Sequence, residues 1–106
     1  MRGQRVLLGR ASQIPPGTMQ IVSLDGQPVL LVNTGGRILA LQSTCTHETE
    51  PLIDGYLTDL TLVCAYHGSE FDLQTGEAIG PPAEDPLTVY PLVIENDQIF
   101  CDPAAE

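Results

Sequence analysis

The chain has no lysine, only two histidines and only three cysteines in 106 residues. Four arginines face 14 carboxylates, and Arg2, Arg5 and Arg10 leave Arg37 as the one cation beyond the first ten residues. Binding a phosphate backbone takes a basic surface, so this balance excludes nucleic acid as a partner. No apolar run approaches the roughly 20 residues that cross a bilayer. The opening Met1-Arg2-Gly3-Gln4-Arg5 leads into Val6-Leu7-Leu8, an apolar run too short for the core of a signal peptide. A soluble cytoplasmic protein with no membrane partner is the expectation. Three cysteines in such a chain do not make a disulfide framework. There is no G-x-G-x-x-G after a strand to suggest a nucleotide or flavin site.

The length fits one domain, residues 1–106, with neither repeats nor a linker. Short apolar runs alternate with turn residues, which predicts an all-β fold. Strands are expected over 6–8, 18–24, 28–32, 37–42, 60–64, 70–73, 87–94 and 98–101. Asn33-Thr34-Gly35-Gly36 reads as a hairpin loop, Gln74-Thr75-Gly76-Glu77 and Asn96-Asp97 as turns, and Gly80-Pro81-Pro82 as an irregular loop. No segment carries a helix period. The layout is strands, a loop-rich insertion of roughly 40 residues, and strands again. Cys101 reads as a small buried apolar residue on a terminal strand.

Both histidines and two of the three cysteines fall in one constellation, Cys45-Thr46-His47 and then Cys64-Ala65-Tyr66-His67. Two thiolates and two imidazoles can serve one inorganic centre. In a Rieske-type 2Fe-2S cluster two His replace two Cys on one iron. Each pair must sit on a tight loop so that a Cys and a His two or three residues apart aim inward together, and Gly68 allows close backbone approach there. A zinc site is the alternative, but zinc motifs pair their cysteines before their histidines, and this order interleaves them. A Cys–His nucleophile pair leaves the other Cys and His unexplained, and incidental core cysteines with chance histidines are the plainest alternative. No 2-His-1-carboxylate iron site remains once both histidines are used.

On these residues the chain resembles the Rieske ferredoxins, in particular the small ferredoxins of bacterial ring-hydroxylating dioxygenases. The pattern C-x-H-x16-C-x-x-H is met by Cys45, His47, Cys64 and His67. Thr46, Pro51-Leu52, Gly55, Gly68, Phe71-Asp72, Thr75-Gly76 and Gly80-Pro81-Pro82 agree in context. The resemblance implies an antiparallel β-sandwich with an inserted cluster-binding subdomain at about 43–83, holding one 2Fe-2S cluster. It implies that Cys45 and Cys64 bind the buried iron and that His47 and His67 bind the outer iron through Nδ1. Gly80-Pro81-Pro82 would be the loop covering the cluster.

Some departures from high-potential relatives are informative. Those relatives carry a disulfide between the two ligand loops, whereas here the corresponding region holds Glu50 and Tyr66 and no further cysteine. Ser69 stands at their serine position, but Phe71 replaces a tyrosine and brings no hydroxyl to the cluster. Fewer donors to the sulfurs imply a lower potential. Ala65 replaces a common proline, and Glu48 follows His47 directly, as a docking charge or a solvated side chain.

The expected role is a one-electron relay without substrate chemistry of its own. It would take electrons from a flavoprotein reductase and pass them to a terminal oxygenase, as a monomer. A small electron-transfer subunit held permanently in a reductase complex, of the nitrite-reductase kind, is the second reading, and a zinc-stabilised binding module the third. Seven of the 14 acids lie between Glu48 and Glu77, which favours steering toward a positively charged partner over a merely solvated surface.

Overall fold

The computed structural model describes residues 5–46, 51–66, 68–81 and 85–102. Among them, strands β1 (Val6–Arg10), β2 (Thr18–Leu24), β3 (Gln27–Thr34), β4 (Arg37–Gln42), β5 (Tyr56–Thr58), β6 (Thr61–Val63), β7 (Glu70–Asp72), β8 (Ala78–Gly80), β9 (Val89–Tyr90), β10 (Leu92–Glu95) and β11 (Gln98–Cys101) make three antiparallel sheets. Their orders are β1-β11-β10, β2-β3-β4-β9 and β5-β6-β7-β8. Helical structure among these residues is confined to two 3₁₀ turns, Ala11–Gln13 and Leu52–Asp54. The antiparallel, all-β expectation is met.

The run Val29-Leu30-Leu31-Val32 on β3 explains the layering. All four side chains are fully buried. Successive residues of a strand point to opposite faces, so an unbroken apolar run needs a core on both sides. Val29 and Leu31 join Leu8, Ala40, Ile99 and Cys101 in one core. Leu30 and Val32 join Leu41, Leu52, Leu62 and Phe71 in the other. The β2-β3-β4-β9 sheet is therefore the middle layer. Each fully buried aliphatic side chain contributes about 1.5–3 kcal/mol relative to exposure.

Tight hairpins set the register. Thr34 pairs with Arg37 across Gly35 and Gly36, whose φ of +63° and +92° are the two left-handed positions that a type I′ turn requires. Asn33 and Thr34, expected in that loop, are the last residues of β3 instead. Asp25-Gly26 and Asn96-Asp97 close the β2–β3 and β10–β11 hairpins with the same left-handed pairs.

The structure divides or shifts some expected strands. The run 87–94 splits at Pro91. Pro91 has no N–H to donate to a ladder, while its carbonyl accepts from the Asp102 N–H at 3.1 Å. The chain changes sheets there, from β9 beside β4 to β10 beside β11. The strand expected over 60–64 is shorter, because Asp59 and Leu60 form the turn between β5 and β6. Gly80 belongs to β8 rather than to a loop. Strands β5 and β8 carry no alternation long enough to read, since each is three residues.

Candidate metal centre

Cys45 stands just beyond β4, where the middle sheet ends. An isolated β-bridge joins Thr44 to Pro51, and the Leu52 N–H donates to the Ser43 carbonyl at 2.9 Å. These two contacts close the base of the first loop. Gln42, the last residue of β4, braces it from the side. Its Nε2 donates to the Thr44 carbonyl at 3.0 Å, while its Oε1 accepts the Thr88 N–H at 2.7 Å. Thr46, on the far side of Cys45, donates its hydroxyl to the Asp85 carbonyl at 2.6 Å. Both residues flanking Cys45 are thus tied, directly or through Gln42, to the 85–88 segment.

Cys64 follows β6 at the mouth of the β6–β7 hairpin. Its N–H donates to the Ser69 carbonyl at 2.8 Å, and its carbonyl accepts the Gly68 N–H at 3.1 Å. Gly68 at φ +75° supplies the left-handed step that brings the chain back. The hydroxyl of Tyr66 donates to Oδ2 of Asp54 at 2.6 Å, linking this hairpin to the 3₁₀ turn that follows the first loop.

The two loops bring their cysteines into one core. Cys45 is 2% and Cys64 1% exposed, and both lie in the cluster built around Leu30, Leu62 and Phe71. Neither is in a disulfide. Two buried thiols from separate loops, unoxidised and in one apolar cluster, are a donor set that suits a soft iron-sulfur or zinc centre. Ser69 is fully buried beside the Cys64 turn, and Phe71 is fully buried in the same cluster. Cys101 belongs to the opposite core, on β11, as a small apolar residue. Burial, with Asp102 and Asp25 nearby, pushes its thiol pKa up, which keeps it protonated and inert.

His47 and His67 lie outside the described residues, as do Glu48, Glu50 and Pro82. The braces were not foreseen from the sequence. Thr46 and Tyr66 stand inside the motif, but their acceptors Asp85 and Asp54 are 39 and 12 residues away and belong to no pattern. Gln42 looked like an ordinary strand end. Among the described residues no helix is long and apolar enough to cross a membrane.

The family described as the Rieske 2Fe-2S domain matches residues 4–91. A 3-phenylpropionate/cinnamic acid dioxygenase ferredoxin subunit from Shigella boydii is 37% identical over 100 residues, covering 92% of each chain. Among solved structures, the ferredoxin of carbazole 1,9a-dioxygenase from Nocardioides aromaticivorans superposes with a TM-score of 0.88 at 26% identity, covering 95% of this chain and 99% of that one. A chain from the complex of reduced oxygenase and oxidised ferredoxin in carbazole 1,9a-dioxygenase superposes at 0.85 with 27% identity, covering 92% of both.

Proposed function

The chain belongs to the Rieske 2Fe-2S domain family, and from that membership we propose that it is the ferredoxin component of a ring-hydroxylating dioxygenase system. The relatives at 37% identity are named as ferredoxin subunits of a dioxygenase, and a structural relative was captured with its oxygenase. The proposed partners are a flavoprotein reductase on the donor side and a terminal oxygenase on the acceptor side. One domain, residues 1–106, carries the function, with the cluster-binding part at about 43–83. The β5-β6-β7-β8 sheet falls within that part. Three thiols with no disulfide among them suit a reducing cytoplasm, and the proposed state is a monomer.

Cys45 and Cys64 would hold one iron of the cluster, and His47 and His67 the other. The cluster supplies one-electron chemistry, and the protein's work is to place and shelter it. Burial of Cys45 and Cys64 keeps water from their sulfurs. The Gln42, Thr46 and Tyr66 bonds hold the loops that carry them. Replacing two thiolates by two neutral imidazoles removes negative charge from one iron, which makes the added electron less unfavourable than on an all-cysteine cluster. With the ligands committed in this way, the protein relays electrons and performs no substrate chemistry.

The observation that carries this reading is the meeting of Cys45 and Cys64, from two separate loops, in one buried core. Iron and acid-labile sulfide in equal amounts in the purified protein, with the electron paramagnetic resonance of a Rieske centre on reduction, is the expected result. Zinc without sulfide overturns it. His47→Cys and His67→Cys should each abolish the Rieske spectrum, and a wild-type spectrum in either variant defeats the ligand assignment.

A further inference from the structure

Among the described residues, backbone bonds close each cysteine loop at its own base, and the β5–β6 ladder, which pairs Tyr56 with Val63, joins the two bases. Thr44–Pro51 and Leu52–Ser43 close the first, while Cys64–Ser69 and Gly68–Cys64 close the second. Between the two runs a side-chain bond, from the Tyr66 hydroxyl to Oδ2 of Asp54 at 2.6 Å. Tyr66 lies two residues after Cys64 and directly before His67. Asp54 ends the 3₁₀ turn that starts at the closed base of the Cys45 loop.

Tyr66 is 48% exposed, so its ring does not serve as core filling. Its hydroxyl is aimed at a carboxylate on the neighbouring loop. We propose that Tyr66 is a positioning residue which, through Asp54, latches the Cys64 loop to the base of the Cys45 loop and so governs ligand orientation and cluster retention. A centre bound by two loops is lost when either loop swings away. Within-loop bonds do not oppose that motion, and the β5–β6 ladder stops at Val63, so the Tyr66 bond adds a tie beyond Cys64.

The inference rests on the proposed function, because it requires a cluster to retain. Holoprotein is therefore checked first for iron and sulfide, and their absence defeats that reading rather than this one. Bleaching of the visible spectrum is then timed under excess chelator, and the resonance spectrum of the reduced centre is recorded. Tyr66→Phe removes one oxygen and should bleach about two- to tenfold faster, the range set by one hydrogen bond. Asp54→Ala should match it, and the double variant should be no faster than either single one, because all three lack the same bond. Asp54→Asn keeps an acceptor for the tyrosine hydroxyl and should restore both the slow bleaching and the wild-type line shape. Wild-type bleaching in Tyr66→Phe, or single effects that add in the double variant, overturns the proposal.

Discussion

The middle sheet and the short-stranded sheet β5-β6-β7-β8 are built on different principles. β2 and β3 share seven register pairs, and β3 and β4 share six. The strands β5 to β8 are three residues each. Long ladders and an aliphatic run that is buried on both faces hold the first region. The second is held by turns and by side chains reaching into backbone, such as Asp72 Oδ1 accepting the N–H groups of Gln74 and Thr75 at 2.8 and 3.2 Å. Its core is shared with Cys45 and Cys64. A region with so few ladder bonds is expected to draw stability from its metal centre, since ligand binding is also folding free energy. The difference teaches that the scaffold can be rigid by itself, while the site depends on its braces and on what it binds.

Deleting core volume on each side tests this most strongly. Leu31→Ala, in the core away from Cys45 and Cys64, and Leu62→Ala, in the core that contains them, should each cost about 2–5 kcal/mol in chemical denaturation. Only Leu62→Ala should also speed cluster loss under native conditions. Equal bleaching in the two variants would erase the distinction between the regions.

A backbone pair gives a smaller contrast. Gly76 has φ +81°, and a Cβ there would land on the Leu87 carbonyl oxygen, 2.9 Å from a Val89 methyl. That carbonyl belongs to the segment whose Leu87 N–H donates back to Gly76 at 2.7 Å. Gly35 has φ +63° with nothing near its Cβ position. Gly35→Ala should cost only the left-handed strain, about 1–2 kcal/mol. Gly76→Ala should cost more and disturb the cluster spectrum, which Gly35→Ala should leave intact. Matching melting temperatures for the two variants would refute the close approach at Gly76.

The smallest effect expected belongs to the scaffold end. Asp97 accepts from the Ser12 hydroxyl at 2.6 Å and from the Ser12 N–H at 2.8 Å. The hydroxyl bond above all holds the carboxyl pKa below its ordinary 3.8. A depressed folded-state pKa stabilises the fold above the unfolded value, and that contribution disappears as pH falls through the folded value. Denaturation midpoints of the wild type should drop more steeply than those of Asp97→Asn below about pH 4. The cluster spectrum should not follow that titration. Parallel acid limbs in the two proteins would show that the Ser12–Asp97 contact contributes nothing.

The apolar run Val29 to Val32 made the central strand legible, while the cover on both of its faces came from packing. The Gly35-Gly36 and Asn96-Asp97 turns were legible from residue types suited to positive φ. Pro91 was present in the sequence, but a proline inside an apolar run marks only where a ladder bond is missing. Whether the chain continues in the same sheet or changes sheet depends on which neighbour stacks beside it. β5 and β8 were hidden for a different reason: three residues cannot display a period.

The same division runs through the site. Residue order alone determined that Cys45 and Cys64 belong to two separate Cys/His motifs, and that an apolar strand lies ahead of them. Ligand spacing and side-chain alternation are local properties of a chain. Only tertiary packing decided that Thr46 meets Asp85, and only the pairing of β5 with β6 carries Tyr66 to Asp54. A hydrogen bond between groups far apart in sequence has no local signature, and it exists only once packing has brought its donor and acceptor within reach.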